Sequence, residues 1–310
     1  MKKLGFLCAL CASVLSTNAV FATEGALSGK FSVNEKGDQV QFAQGNLQYQ
    51  ASTKTWRFAA KQYESLGAAN AKISASNSGW IDLFAWGTGN NPASVSSDYS
   101  QYASFNEWGA NAISNGGNKA NVWRTLTRNE WVYIFTGRKN ATNLLGAGTV
   151  NGVKGIIILP DNWAAPAGVT FNATESKGLM LKGTYYKNAN GDNFAHNTYS
   201  AEQWAKMEAA GAVFLPTTGY RYEVDIRKPE DGGCYWTSNI YLNEGVDEGE
   251  ANSLDFDKGY LGMGISGRDM GFAVRLVCQS GNEAAPAASS QPAASGSNRP
   301  APGTKRPVKR

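Results

Sequence analysis

Apolar and polar positions alternate with period two over the first part of the chain. Phe31 and Val33 share one side, then Val40 and Phe42, Leu47 and Tyr49, Trp56 and Phe58. Asn34–Asp38, Gln44-Gly45 and Ala51–Lys54 interrupt these runs with turn-forming residues. Such alternation between turn residues predicts a meander of short strands. Residues 67–121 lose the period. They are rich in Gly, Ala, Ser and Asn, with Trp80, Phe84, Trp86, Phe105 and Trp108 spread among them. This predicts long loops pinned by aromatic anchors. Two helices are announced by capping boxes. Thr127 with Glu130 opens one that runs through Trp131 to Thr136 and stops at Gly137. Ser200 with Gln203 opens another that stops at Gly211. In a capping box the hydroxyl takes the N3 amide while the N3 side chain reaches back. Further strands are expected at 212–216, 234–238 and 271–278, and a hairpin joins Ser253–Phe256 to Tyr260–Met263 across Asp257-Lys258-Gly259.

The ends differ from the middle. Lys2 and Lys3, the apolar stretch Leu4–Leu15 and Val20-Phe21-Ala22 have the three-part form of a secretory signal peptide, residues 1–22, cleaved after Ala22. The apolar part is too short to span a bilayer, and no later run reaches that length, so the chain is not expected to span a membrane. Residues 281–310 hold five of the ten prolines, much Ala and Ser and no aromatic, and they end in Lys305, Arg306, Lys309 and Arg310. They are expected to be a disordered basic tail. Residues 23–280 form the remaining single domain.

Charge follows this division. The formal net charge is +4, yet residues 23–280 hold 22 basic and 24 acidic residues. The basic character belongs to the ends, so nucleic-acid binding is not expected. Charged residues are 17% of the chain, and the 35 Gly and 27 Asn make a fifth of it. That composition favours turns over long helices. Cys234 and Cys278 are the cysteines left after export. An even pair in an exported chain suggests a disulfide. The alternative is two buried thiols packed as small apolar groups.

An ordered set of motifs carries a resemblance. Trp123-Arg124 precedes Leu126-Thr127-Arg128-Asn129-Glu130-Trp131. Then come Leu215-Pro216-Thr217-Thr218-Gly219-Tyr220-Arg221, Tyr235-Trp236-Thr237-Ser238 and Gly271–Val277. Together they resemble the FISUMP-type domains, a branch of the formylglycine-generating-enzyme-like superfamily with a C-type-lectin fold, over roughly residues 30–279. The resemblance implies an α+β domain: a C-type-lectin-like fold with a small twisted antiparallel sheet, two helices and long ordered loops. Trp131 and Trp236 then read as core anchors. Arg221 and Arg275 read as guanidinium groups that stack on rings or pair with carboxylates.

Catalytic chemistry finds little support. The superfamily's oxidase uses two closely spaced C-terminal cysteines, whereas Cys234 and Cys278 are 44 positions apart. His196 is the sole histidine, and no nucleophile elbow is present. Asp255 and Asp257 can imitate a glycosidase pair or form a solvated hairpin face. The expectation is therefore a secreted or surface-displayed binding protein without enzymatic activity, in the extracellular space or on a bacterial envelope. Its ligand would be a glycan or an extracellular protein. The expected contact face is the loop region 239–268: Asn239, Tyr241, Asn243, Asp247, Asn252, Asp257, Tyr260 and Arg268. Tyr and Asn suit adaptable recognition surfaces. The alternative is a structural envelope or matrix component retained by the basic tail. No cofactor is assigned. Calcium would need the oxygens of Asp247, Glu248 and Glu250, whose spacing is not that of an EF-hand. Asn140-Ala141-Thr142 and Asn172-Ala173-Thr174 match the glycosylation acceptor pattern.

Overall fold

The computed structural model describes residues 23–174, 184–185 and 191–280. The expected signal peptide and basic tail lie outside the described residues. In chain order the first half contains β1 (Phe31–Ser32), β2 (Gln39–Phe42), β3 (Leu47–Gln50), β4 (Thr55–Phe58), β5 (Trp80–Ile81), β6 (Arg124–Thr125) and α1 (Arg128–Val132). Then follow β7 (Leu145–Val150), β8 (Val153–Ile158), β9 (Thr184–Tyr185), β10 (Thr198–Tyr199), α2 (Ala201–Ala209) and β11 (Val213–Pro216). The last part holds β12 (Tyr220–Tyr222), β13 (Asp225–Arg227), β14 (Gly232–Asn243), β15 (Val246–Asp257), β16 (Tyr260–Gly267) and β17 (Leu276–Gln279).

The architecture is α+β, with mostly antiparallel sheets and few helices. Instead of one small sheet, several are present: β1-β2-β17-β6, β4-β3-β5, β10-β7-β8-β11 and β14-β15-β16-β9, with the ribbon β12-β13. Among the paired strands described, only β10 with β7 is parallel. The last strand, β17, lies between β2 and β6, so the C-terminal part closes against the N-terminal meander.

Both capping boxes form. The Thr127 hydroxyl accepts from the Glu130 amide, and the Glu130 carboxylate accepts from the Thr127 amide at 2.8 Å. Ser200 and Gln203 reciprocate in the same way. The first helix is shorter than expected: α-helical bonding ends at Val132 and a π-turn carries the chain from Tyr133 to Gly137. Replacing Ser200 with alanine removes the acceptor for one N-terminal amide. It should cost about 1 kcal/mol, typical of a lost N-cap, in urea unfolding. An unchanged midpoint would show that α2 is held by Trp204 and Met207 packing alone.

Three clusters make up the core. One joins Phe31, Phe42, Trp131, Leu254, Phe256 and Val277, and a second gathers Trp56, Phe84, Trp108, Trp123, Trp236 and Phe272. The third sits under α2 with Trp204 and Phe214. Residues 67–121 behave as the pattern suggests: three short 3₁₀ turns and β5, with Phe84, Trp86 and Trp108 buried. Trp131 and Trp236 are both buried. Arg221 and Arg275 are buried too, but among the described residues neither forms an ion pair with a carboxylate. Arg275 donates to Asn46 Oδ1 at 3.2 Å and Gln62 Oε1 at 2.6 Å. Arg221 donates to the Glu223 carbonyl. Side-chain amides and a backbone carbonyl therefore stand where a carboxylate was one of the two expected partners.

The expected Cys234–Cys278 disulfide is not formed, and both thiols are free. The two thiols meet different neighbours, Cys234 the Asp255 carboxyl and Cys278 Thr23. Cys234 lies on β14 opposite Asp255, whereas Cys278 lies on β17 opposite Gln41 in a different sheet. Burial pushes both thiols up, Cys278 to about 11.

Candidate functional site

The expected contact region, 239–268, is largely strand, well beyond the hairpin expected at Ser253–Phe256 and Tyr260–Met263. β14 and β15 are twelve residues each and turn at Glu244-Gly245, both with positive φ as a tight hairpin requires. Asn243 and Asp257 stand at opposite ends of this hairpin, roughly 35 Å apart at the ~3.3 Å rise of a strand. The eight expected contact residues therefore do not form one face.

Several of them serve the fold. Asn239 Oδ1 accepts from the Arg128 amide at 2.7 Å and so satisfies a first-turn donor of α1. Asn252 is buried and donates to the Ile240 carbonyl at 3.1 Å. Arg268 is buried, with its guanidinium carbon 5.6 Å from the Trp86 ring centre and Nη2 2.6 Å from Asp247 Oδ1. The Gly249 amide and then Arg268 hold the Asp247 carboxyl below its ordinary range. Asn243 donates to Glu248 at the exposed tip, and Tyr241 is half-buried opposite Glu250. Asp257 accepts from the Gly259 amide at 2.7 Å, which fixes the β15–β16 turn. Asp257 and Tyr260 are the two of the eight that line one concave site.

That site is a cleft of about 440 Å³ at the base of the β14–β15–β16 sheet. Its floor is Cys234, Asp255 and the Gly232-Gly233 backbone; Phe194, Phe256, Tyr220 and Tyr260 supply aromatic lining. Asp192, Asp231 and Asp257 bring further carboxylates, and Lys154, Lys228 and Lys258 bring ammonium groups.

Alternation along β15 builds the floor. Leu254 and Phe256 turn into the first core cluster, so Asp255 between them must point the other way. On that side β16 offers Gly262 opposite Asp255 and Gly264 opposite Ser253. A Cβ on Gly264 would come within 1.9 Å of Asp255 Oδ2, so only glycine admits this carboxylate. Gly233 similarly leaves room for the Phe256 ring, which lies 2.4 Å from where its Cβ would stand.

Asp255 is thus the correction to the expected solvated pair: Asp257 is exposed and Asp255 is not. Asp255 lies against the Cys234 thiol and the Ser253 hydroxyl, yet its Oδ1 is out of solvent and has no hydrogen-bond partner. Burial pushes its carboxyl up to about 6. Burial first, then the neighbouring Asp255, raises the Cys234 thiol well above its ordinary value, so it is a poor thiolate source. The pattern Gly-x-Gly on β16 facing Ser-x-Asp on β15 was the sequence signal for this floor.

Other candidates are dispersed. His196 is exposed at the end of a 3₁₀ turn. Asp247, Glu248 and Glu250 follow one another along β15, and among the described residues no three acidic, His or Cys side chains are placed to hold a metal. Thr174 of the second acceptor pattern is buried and accepts from the Ala147 amide at 2.7 Å. No helix of the described residues is long and apolar enough to cross a membrane. No family model, curated protein or solved structure matches the chain.

Proposed function

We propose that the chain is an exported, non-catalytic recognition module with a C-type-lectin-like fold of the FISUMP type. It acts in the extracellular space or on the cell surface and binds a glycan or an extracellular protein. The binding position shifts from the broad 239–268 face to the cleft at its base, where Asp257 and Tyr260 remain part of it. The observation that carries this reading is the floor of the cleft: a buried carboxylate with an unsatisfied oxygen beneath aromatic walls. Concave sites with a few convergent polar groups on apolar walls are the usual form of ligand pockets. A poorly ionised thiol beside that carboxylate supports binding over nucleophilic chemistry.

The test is a glycan and surface-protein array with the intact chain, Tyr260→Ala, Tyr241→Ala and a truncation after Gly281. Loss of at least tenfold in Tyr260→Ala, with Tyr241→Ala unchanged, is expected. Retention in Tyr260→Ala would remove the cleft as the contact site. Loss only on truncation would favour the structural component anchored by its basic tail.

A further inference from the structure

Resting on that reading, the geometry points to a ligand class: we infer that the cleft receives the side chain of a lysine or arginine from a partner polypeptide, with its cationic end on Asp255.

Among the charged groups that line the cleft, the one with an oxygen closed to solvent is negative. Asp255 Oδ1 is closed to solvent and unpartnered. A buried acceptor left unsatisfied is costly, and more so when charged. A ligand donor repays that cost, and an ionised donor repays most. The three lysines that line the cleft do not fill this role. Lys228 and Lys258 are exposed, Lys154 is half-buried, and none forms an ion pair with Asp255 among the described residues.

The walls select the stem. Tyr220 and Tyr260 are half-buried around the opening, whereas Phe194 and Phe256 belong to the first core cluster behind the sheet. Aromatic walls above an acidic floor suit an alkyl chain that carries its charge at the far end, the form in which Lys and Arg bury their stems. An amino sugar carries its ammonium directly on a hydroxylated ring, so the stem contacts are missing. Lys154, Lys228 and Lys258 can meet the carbonyls or carboxylates of the segment that brings the cation.

The titratable groups facing Asp255 come from each neighbouring element. Cys234 and Asp231 belong to or precede β14, Asp257 and Lys258 follow along β15 and its turn, Asp192 precedes the turn at Asn193–Ala195, Lys154 lies on β8 and Lys228 follows β13. Burial and then Asp255 raise the Cys234 thiol, which stays neutral through the range used below. The protonation of Asp255 near 6 therefore provides an independent readout.

The experiment is calorimetric titration of the full mature chain with Nα-acetyl-lysine amide, Nα-acetyl-arginine amide, glucosamine and a neutral norleucine analogue. Binding of the two cations, with norleucine and glucosamine at least tenfold weaker, is expected at pH 7.5. Asp255→Asn should weaken the cations at least tenfold, while Glu248→Gln at the distant hairpin tip should not. In the unmutated protein, lowering the pH to 5 should weaken them about tenfold, because the carboxylate is then mostly protonated. That arm holds even if Asp255→Asn fails to fold. Equal binding of norleucine, or no loss at pH 5, overturns the cation assignment. Glucosamine binding as tightly as lysine overturns the polypeptide source. If none of the four binds but a glycan does so through Tyr260, the inference falls and the recognition module stands. If nothing binds and Tyr260→Ala changes nothing on the array, both fall.

Discussion

Trp236→Ala should unfold the protein more readily than substitution of any other residue of the expected motifs, with a loss of about 3–5 kcal/mol, the range for removing a large buried aromatic. The ring stacks on Phe272 with centroids 4.2 Å apart and is 1% exposed. Its Nε1 donates to the Phe84 carbonyl at 2.7 Å, and its amide donates to the Ala273 carbonyl at 3.0 Å. One side chain thus ties β14 to segments about 150 residues before it and 36 after it. Removing it leaves a cavity and takes away one of two donors to the Phe84 carbonyl, the other being the Phe272 amide at 2.9 Å. Trp80→Ala is the contrast. Trp80 is half-buried and its main partner is the Arg57 guanidinium, 3.8 Å from the ring centre. A partly exposed cation–π contact of that kind is worth about 0.5–1 kcal/mol. Urea unfolding of both variants separates the cases. A Trp236→Ala loss no larger than that of Trp80→Ala would show that the second cluster does not bear the fold.

The second large effect is on pH. Asp82 and Asp255 are both raised to about 6, in each case chiefly by burial. A carboxyl whose pKa is higher in the folded than in the unfolded state holds its proton better when folded. Its contribution to stability is full below about pH 4 and is lost as pH rises through 6. Each carboxyl accounts for about 3 kcal/mol across that window. Stability measured from pH 4 to 8 should therefore fall, against the gain from Asp161, whose carboxyl is lowered by Ser32, Gln39 and Arg138 despite its partial burial.

The two aspartates should part on mutation. Asp255→Asn removes a buried charge with an unpartnered oxygen, so it should flatten the profile and stabilise the protein above pH 7. Asp82 accepts from the Leu66 amide at 2.9 Å and Asn70 Nδ2 at 2.7 Å. Asp82→Asn places an amide donor among these donors and should destabilise at every pH while also flattening the slope. A profile that keeps its full slope in Asp255→Asn would remove Asp255 as a titrating group in this range.

Local chemistry along the chain determined much of this protein. The capping boxes at Thr127 and Ser200 need only residues three apart, and the structure forms both. The alternation of Phe31 to Phe58 needs only the strand period and yields β1 to β4. Buried Trp131 and Trp236 follow from the size of their apolar rings. What the chain did not disclose depends on partners distant in sequence. The length of β14 and β15 is set by cross-strand pairing and by the Glu244-Gly245 turn, while the polar residues 239–252 obscured the strand period. Asn239 looked like a ligand contact because its partner, the Arg128 amide, lies 111 positions away. Cys234 and Cys278 looked like a pair, but the fold sets one thiol against Asp255 and the other against Thr23. Asp255 and Asp257 differ for the same reason: equal residues on the same side of a strand, one exposed beside a turn and the other set over Gly264. Only the packing of β16 against β15 decides which of them lies in the floor of the cleft, because burial is a property of the neighbours a side chain meets and not of the residue itself.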